Sequence, residues 1–354
     1  MLNPMKGIIM RRHTVILGAG ATIATIPNGD RNGNKSSVMN GLIEKLNLND
    51  VISNVELNTK SKNLEDIYSE LYLREDCRDV VKELEKRIYD YFASLELPEY
   101  PTIYDLLILS LTSKDVITTF NWDPLLIQAY CRCSGFTENL PHIFCLHGNV
   151  AMGYCEKDVE FGINGVTCPV CESVFTPTKL LYPVKEKNYS KDDYINKCWE
   201  ATEQYIEQSS MLTIFGYSAP TTDKEAVTLL KKAWGDLESR QLEEVSVIDI
   251  VSEDEMLDKW KDFIYSHHYK YTNDFYSSYL GKFPRRTCET IFATFLMNLP
   301  ADDTRGFYEG MSWDEITDIL SDLLIEKFTH QMVKIILVHI IGTNYLTLNR
   351  GKLL

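Results

Sequence analysis

The sequence lacks long hydrophobic runs, an excess of basic residues and internal repeats. Its longest apolar stretches, such as residues 335–341, fall well short of the roughly 18 residues that a membrane span needs, so we expect no membrane span. Lys and Arg number 36 against 51 Asp and Glu, and the net charge of -15 disfavours direct binding of nucleic acid, whose phosphates require clustered cations. With 44% hydrophobic and 25% charged residues, the 354-residue chain has the composition of a folded globular protein of about two domains.

The amino terminus lacks the order of a secretory signal. Arg11 and Arg12 follow the short apolar run there, whereas a signal peptide places its basic residues first. The nine cysteines are odd in number and unevenly spaced, which favours reduced thiols over a disulfide framework. We therefore expect a cytoplasmic protein.

Short apolar runs alternate with helical patterns along most of the chain. The runs typical of buried strands are residues 14–17, 115–119, 143–146, 211–215 and 245–250. This alternation predicts a parallel α/β sheet that is covered by helices on both faces.

Three segments depart from this alternation. Residues 37–113 carry apolar positions at three- and four-residue steps, which predict a helical insertion. Residues 151–188 combine glycines, prolines and cysteines with little periodicity, which indicates a small appended module. Residues 254–354 carry apolar residues at helical spacing, which predicts a mainly helical C-terminal region for packing or assembly. We therefore expect residues 1–253 to form the first domain.

Four candidate motifs each follow a predicted strand. In an open parallel sheet, the loops at the carboxyl ends of the strands form the ligand-binding crevice. The motifs are Gly18-Ala19-Gly20, Thr119-Phe120-Asn121-Trp122-Asp123, Leu146-His147-Gly148 and Gly216-Tyr217-Ser218.

Each motif also has a plain structural interpretation. Gly18 and Gly20 let a backbone approach a phosphate closely, but they equally suit a tight turn. Asn121 and Asp123 can converge on one polar ligand group, or Asp123 can form an Asx turn or cap the helix that follows. His147 suits general-base chemistry, and a lone histidine is also common as a structural residue.

Taken in order, the four motifs resemble those of the sirtuin superfamily, which are Gly-Ala-Gly-x-Ser, Thr-Gln-Asn-Ile-Asp, Leu-His-Gly and Gly-Thr-Ser. The resemblance covers about residues 14–252 and implies a Rossmann-like fold. The protein deacylases of the superfamily carry a Phe-Gly-Glu segment after their zinc module, whereas this chain has Leu181-Tyr182-Pro183 there. That departure argues against peptide deacylation.

The chain is more similar still to the sirtuin-like NAD-cleaving (NADase) proteins of bacterial antiphage defence. Those proteins favour a Thr-Thr-Asn-Tyr-Asp form of the second motif and a Gly-Tyr-Ser form of the fourth. Thr118-Thr119 and Gly216-Tyr217-Ser218 follow these forms, with Phe120 inserted in the first.

This resemblance implies NAD+ as the substrate and gives roles to individual residues. Asn121 would position the attacking water or the ribose, and Asp123 would bind the carboxamide of the leaving nicotinamide. His147 would polarise a ribose hydroxyl or act as a base. The residues that would bind the rest of NAD+ are Gly18, Ala19, Gly20, Thr22, Thr119, Gly216, Ser218 and Asp249.

The cysteines of the small module have the spacing of half a zinc site. Cys168 and Cys171 are two residues apart, as in a zinc knuckle. Sirtuins pair such a knuckle with an upstream Cys-x-x-Cys, where this chain has Cys155 and Asp158. Two expectations stay open: zinc held by Cys155, Cys168 and Cys171 with a carboxylate or another ligand, or a metal-free module packed by its own side chains.

The expected function is that of a NAD+ hydrolase, which releases nicotinamide and ADP-ribose and is held inactive until a signal of infection arrives. A protein deacylase, an ADP-ribosyltransferase and a non-catalytic NAD or ADP-ribose sensor are alternatives for the same pocket, and a structural subunit is a further one. The amphipathic helices of the C-terminal region suit ordinary core packing first, and contacts of an oligomer or a partner as the alternative; a homo-oligomer is expected. Because no sensor domain is recognisable, activation through assembly or a partner ATPase or nuclease is expected.

Overall fold

The strands that the structure describes form a six-stranded parallel sheet and a separate three-stranded sheet. The computed structural model describes residues 11–37, 39–184, 189, 192–220, 223–236, 238–240, 243–264, 268–301 and 303–324. The strands are β1 (Arg12–Leu17), β2 (Val116–Thr119), β3 (His142–Cys145), β4 (Met152–Cys155), β5 (Glu160–Ile163), β6 (Thr176–Pro177), β7 (Ser209–Phe215), β8 (Glu244–Ile248) and β9 (Tyr269–Thr272).

The strand order of the large sheet reverses at β1. The order is β3-β2-β1-β7-β8-β9, and each neighbouring pair is parallel. Numbered within the sheet alone, this is the 3-2-1-4-5-6 order of Rossmann folds, whose ligands bind where the order reverses. Leu17 at the end of β1 lies beside Thr119 of β2 and Phe215 of β7, so the loops after these strands begin at one edge. The predicted α/β, Rossmann-like parallel sheet is confirmed.

Helices cover both faces of this sheet. The helices are α1 (Ala19–Thr25), α2 (Met39–Lys45), α3 (Asn49–Ile52), α4 (Leu64–Tyr72), α5 (Arg78–Ala93), α6 (Ile103–Ser110), α7 (Leu125–Cys133), α8 (Asp193–Glu207), α9 (Lys224–Trp234), α10 (Glu253–Trp260), α11 (Tyr279–Lys282) and α12 (Thr287–Met297). Leu212 and Ile214 of β7 belong to the core that α8 and α9 complete. Met211 points to the other face, because side chains alternate along a strand, and packs against Cys288 and Ile291 of α12.

The helical insertion and the small module have the predicted character. Helices α2 to α6 all lie within residues 37–113, and α4 packs against α5. Within residues 151–188, β4, β5 and β6 form an antiparallel sheet of their own, in the order β5-β4-β6.

The C-terminal region contains a strand that the sequence pattern did not predict. Strand β9, with the sequence Tyr-Lys-Tyr-Thr, pairs with β8 at the end of the large sheet, in a region expected to be mainly helical. Its two tyrosines and its lysine give no continuous apolar run, so the strand is hidden among the helical patterns around it. The division of the chain at residue 254 stays a prediction; by its contacts the chain separates into Met1–Gly306 and Phe307–Leu354.

The second unit contains a helix over residues 313–324. Ser312 and Glu315 cap it reciprocally, because the Glu315 N–H donates to the Ser312 hydroxyl while the Ser312 N–H donates to the Glu315 carboxylate. Among all the helices that the structure describes, in either unit, none has the length and apolar character needed to cross a membrane.

Candidate active site

The loops that follow β1 and β7 are in direct backbone contact. The Gly20 N–H donates to the Gly216 carbonyl at 2.9 Å, and the Gly18 N–H donates to the Phe215 carbonyl at 3.0 Å. A Cβ on Gly20 would lie 2.7 Å from the Gly216 Cα, and one on Gly216, whose φ is +60°, would lie 2.3 Å from the Ala21 nitrogen. Both glycines are therefore required for this contact, whatever ligand the loops bind.

We expect Gly20→Ala to destabilise the protein, because the added methyl group has no space between the two backbones. The loss should be about 1–3 kcal/mol in the free energy of unfolding, measured by denaturant titration. Gly135→Ala is the matched control, since its Cβ would approach no atom closer than 3.4 Å. Equal stability of the two variants would contradict the close contact.

A buried polar cluster lies beside this contact. Thr22 on α1 donates to the Asp123 carboxylate at 2.8 Å. The Asn121 amide nitrogen lies 2.8 Å from the Gly18 carbonyl oxygen, 3.0 Å from Thr22 Oγ1 and 3.1 Å from the Tyr104 hydroxyl. The structure thus brings Gly18 and Thr22, which follow β1, together with Asn121 and Asp123, which follow β2.

These contacts fix the orientation of the Asn121 amide. A backbone carbonyl accepts hydrogen bonds only, so the side-chain atom of Asn121 facing the Gly18 carbonyl must be the NH2 group. The NH2 protons are therefore used inside the protein, and Oδ1 is the atom that the half-buried side chain offers to a ligand. The Asn121 N–H donates to Thr119 Oγ1 at 3.0 Å, which shapes the turn at the end of β2.

Asp123 is buried and makes structural contacts as well. One carboxylate oxygen accepts the Thr22 hydroxyl, and the other accepts the Leu125 N–H at 3.1 Å, where α7 begins. Asp123 therefore makes the contact at the start of the following helix that its purely structural interpretation predicts. Burial raises the pKa of Asp123 to about 6, while the hydrogen bond from Thr22 acts in the opposite direction.

The ionisation of Asp123 is a testable property of the unliganded protein. We expect its carboxyl group to titrate near pH 6, measured by carbon NMR of the side chain. In the unfolded chain the pKa is near 3.8, so the native state takes up this proton first as the pH falls. This group alone therefore disfavours folding above about pH 6, and that penalty disappears as the pH falls from about 6 towards 4. Titration near pH 4 in the folded protein would contradict the buried environment.

His147 is buried among aromatic rings on the other side of the β2 loop. Its ring lies 4.8 Å from the Phe120 ring, centroid to centroid, and its Nε2 atom lies 3.4 Å from the Tyr189 hydroxyl. The Phe120 ring in turn stacks on Tyr217 at 4.2 Å. Phe120 of the second motif thus contacts both His147 of the third motif and Tyr217 of the fourth.

The other expected ligand-binding residues lie at the same edge with fewer contacts. Ala19 is the first residue of α1, and Ser218 is exposed on the loop after β7. Asp249 follows β8, and its carboxylate accepts the N–H groups of Ile250 and Val251, which is the contact of a turn-forming aspartate.

Two residues that the motifs did not single out belong to the site. Tyr104 of α6 reaches the cluster with its hydroxyl, as described above. The Asn149 side chain donates to the Asp123 carbonyl at 2.6 Å and to the Asn121 carbonyl at 3.3 Å. Asn149 directly follows Leu146-His147-Gly148, and this position is the feature of the sequence that could have identified it. Tyr104 lies in an apolar helical pattern, which offers no such feature.

Four potential metal ligands converge in the small module. Their ligand atoms all lie within 4.8 Å of one another, and they are Cys155, Asp158, Cys168 and Cys171. The Cys155 and Cys171 sulfurs are 3.6 Å apart, too far for a disulfide, and an Asp158 oxygen lies 3.5 Å from the sulfurs of Cys155 and Cys168.

This donor set fits tetrahedral zinc. Zinc bonds of about 2.3 Å to sulfur and about 2.0 Å to oxygen place neighbouring ligands roughly 3.5–3.8 Å apart around a tetrahedron. The Cys155–Cys171, Cys155–Asp158 and Cys168–Asp158 separations lie at these values. The three predicted cysteines are thus brought together, and Asp158 is the carboxylate that completes the set.

Comparison with known proteins gives likenesses of fold. No protein-family model matches the chain, and no curated protein matches it significantly. The chain is similar to a solved structure of a Sir2 mutant with a p53 peptide and NAD, at 14% identity over 79% of this chain and 92% of that one, with a TM-score of 0.37. A Sir2 structure with an inhibitor, 2'-O-acetyl-ADP-ribose and a deacetylated p53 peptide is 13% identical over 81% and 94%, with a TM-score of 0.37. A Sir2 homolog–NAD complex is 11% identical over 79% and 89%, with a TM-score of 0.33. At these identities and scores the likeness says nothing about activity.

Proposed function

We propose that the protein is a NAD+ glycohydrolase, which cleaves the bond between nicotinamide and ribose and acts as a regulated NAD-depleting effector of antiphage defence. The observation that carries the proposal is the cluster of Asn121, Asp123 and Thr22 beside Gly18. It lies at the carboxyl ends of β1 and β2, where the strand order reverses and Rossmann folds bind nucleotides. The motif resemblance to the sirtuin-like NADases supports the identity of the substrate.

NAD+ would lie across the carboxyl ends of β1 and β7. We assign its pyrophosphate to the loop of Gly18, Ala19, Gly20 and Thr22, with Gly216 and Ser218 on the far side. The Gly20 N–H is bonded to the Gly216 carbonyl in this structure, so a phosphate oxygen that accepts from Gly20 has to replace that bond. Thr119 supports the turn that holds Asn121, and Asp249 is assigned to an adenosine ribose hydroxyl through the carboxylate oxygen outside its turn.

The chemistry needs one bond broken and one water molecule added. The electron pair of the nicotinamide–ribose bond leaves with nicotinamide, water attacks the ribose carbon, and one proton is released with ADP-ribose. Asn121 Oδ1, which its NH2 contacts leave free, accepts a hydrogen bond from the attacking water or a ribose hydroxyl. The Asp123 carboxylate accepts from the carboxamide NH2 of the leaving nicotinamide, and His147 takes up the proton from the hydroxyl or the water.

Nicotinamide release tests the proposal directly. We expect Asn121→Ala and His147→Ala to lower the rate of release at least about 100-fold, because each removes a group that contacts the reacting centre. The measurement is nicotinamide formed from NAD+ by chromatography, with activated protein.

The controls are Asn54→Ala and His142→Ala, which change exposed residues of the same types outside the site. Full activity in both Asn121→Ala and His147→Ala would refute the site. Deacylation of an acyl-peptide without free ADP-ribose would favour the deacylase, and transfer of ADP-ribose to protein would favour the transferase. NAD+ recovered intact under every activating condition would favour the sensor.

We also propose that zinc is bound by Cys155, Asp158, Cys168 and Cys171. Three thiolates and one carboxylate at tetrahedral separations support this ion over magnesium or calcium, which prefer oxygen ligands. The metal would be structural, because four protein ligands leave no open position for a substrate.

Metal analysis checks this assignment. We expect about one zinc ion per chain by mass spectrometry of the purified protein, and loss of that zinc in Cys168→Ala, since one of the four ligands is gone. Cys131→Ala removes an exposed thiol outside the module and should leave the zinc content unchanged. Wild-type protein that takes up no zinc on reconstitution would contradict the assignment.

Regulation belongs to the same proposal. Uncontrolled loss of NAD+ is toxic to a cell, so the enzyme is expected to be inactive until a signal arrives. A homo-oligomer, with or without an ATPase or nuclease subunit, is the proposed means of activation.

A further inference from the structure

The helical insertion contributes a hydroxyl group to the buried polar cluster. Tyr104 on α6 has no exposed surface, and its hydroxyl oxygen lies 2.8 Å from Thr22 Oγ1 and 3.1 Å from the Asn121 amide nitrogen. All the other residues of its helix except the half-buried Ile103 are also buried, so a phenylalanine would fill the same space in the core. The hydroxyl is what distinguishes tyrosine at this position.

Helix α6 is held firmly where Tyr104 lies. Thr102 and Asp105 form a capping box around the first turn, with Asp105 accepting the Thr102 N–H and hydroxyl. Arg132 of α7 donates to both carboxylate oxygens of Asp105, at 2.9 and 2.5 Å. Since α7 begins directly after the Asn121–Asp123 segment, the Tyr104 hydroxyl is fixed relative to that segment.

The hydrogen bonds of the cluster run in one direction. One Asn121 NH2 proton goes to the Gly18 carbonyl, and the other is donated towards Tyr104 and Thr22. Thr22 has a single hydroxyl proton, which goes to Asp123, so in the contact with Tyr104 it is the Tyr104 hydroxyl that donates to Thr22 Oγ1. Thr22 then donates to Asp123 Oδ2. The chain of donors thus ends on the carboxylate.

We infer that Tyr104 is a positioning residue of this site: its hydroxyl holds the Asn121 amide with Oδ1 towards the ligand and, through Thr22, stabilises the ionised form of Asp123. The inference rests on the proposed NAD+ cleavage for its catalytic consequence. Its structural part, the link from Tyr104 through Thr22 to Asp123, stands without that activity. Chains of hydrogen bonds polarise one another, so removing the first donor weakens the last bond.

Few other titratable groups bear on the Asp123 carboxyl. Its hydrogen-bond donors are Thr22 of α1 and the Leu125 N–H at the start of α7. The charge of Asp123 also affects the pKa values of three titratable neighbours, which are Tyr104 of α6, Tyr91 of α5 and Cys145 of β3. Burial raises the pKa values of these two tyrosines and of the cysteine, so all three are neutral near pH 7. No cation is among the causes of the Asp123 pKa shift in the part of the chain that the structure describes. Hydrogen bonds, from the Thr22 hydroxyl and from the Leu125 N–H, are therefore what stabilises the charge, and Thr22 is the one that Tyr104 contacts.

The test is Tyr104→Phe, which keeps the ring and removes the hydroxyl. In the unliganded protein, we expect the pKa of Asp123 to rise by at least about 0.5, measured by carbon NMR, because the ionised form loses support. In the activity assay, kcat should fall about 10- to 100-fold with KM within about twofold, and the acidic limb of the pH profile should move to higher pH. Circular dichroism confirms that the variant is folded.

Two comparisons make the result specific. Tyr68→Phe also removes a buried tyrosine hydroxyl, bonded to Glu85 outside the site, and should leave the Asp123 pKa and the rate unchanged. In a Thr22→Val background, where the link is already broken, Tyr104→Phe should cause no further change in the Asp123 pKa.

An unchanged Asp123 pKa in Tyr104→Phe, or an equal further shift in the Thr22→Val background, would overturn the link. An unchanged pH profile and kcat in Tyr104→Phe, with wild-type activity present, would overturn the positioning role. Wild-type protein that releases no nicotinamide would refute the proposed function instead, and the NMR titration would still decide the link.

Discussion

The backbone contact between the loops after β1 and β7 sets the geometry on which the candidate site depends. Gly20 and Gly216 carry no Cβ, so a hydrogen bond joins the two loops directly. Helix α1 begins almost immediately after β1. Thr22, one turn into this helix, therefore lies beside the loop after β2. The Asn121 amide then bonds to the Gly18 carbonyl. The three central strands of the sheet are therefore connected at their carboxyl ends by backbone and side-chain bonds as well as by strand pairing.

The same kind of connection extends to β3. The Leu146 N–H donates to the Thr119 carbonyl, and the Asn149 side chain donates to the carbonyls of Asn121 and Asp123. Buried backbone carbonyls at strand ends need donors, and these side chains supply them. A consequence is that residues named for chemistry also hold the loops together, so a loss of activity after a substitution has to be compared with a loss of stability.

Sequence patterns predict the sheet well where strands are apolar and poorly elsewhere. The run Thr14 to Leu17 is fully buried in the middle of the sheet, and a central parallel strand has to be apolar on both faces. The edge strand β9 has no such requirement, and its Tyr-Lys-Tyr-Thr sequence was missed. The motifs located Asn121 and Asp123 because four of them follow strands in one order, although each alone also suits an ordinary turn. The sequence does not identify Tyr104, because an aromatic residue in an apolar helix is usually core and only the folded structure brings its hydroxyl to Asn121 and Thr22.

The small cysteine module is hydrogen-bonded to the candidate site, which would connect a metal bound in the module to the residues of that site. Asn149 lies just before the module and Thr178 follows β6, and the Thr178 hydroxyl donates to the Asn149 carbonyl. The Leu181 N–H donates to the His147 carbonyl. Within the described residues, the module's own hydrophobic cluster consists of Phe175 with the cysteines, and the module also packs outwards, since Tyr154 and Phe161 contact the Tyr194 ring of α8. A bound metal would add to these contacts and would stabilise the segment that carries His147 and Asn149 without taking part in the proposed reaction.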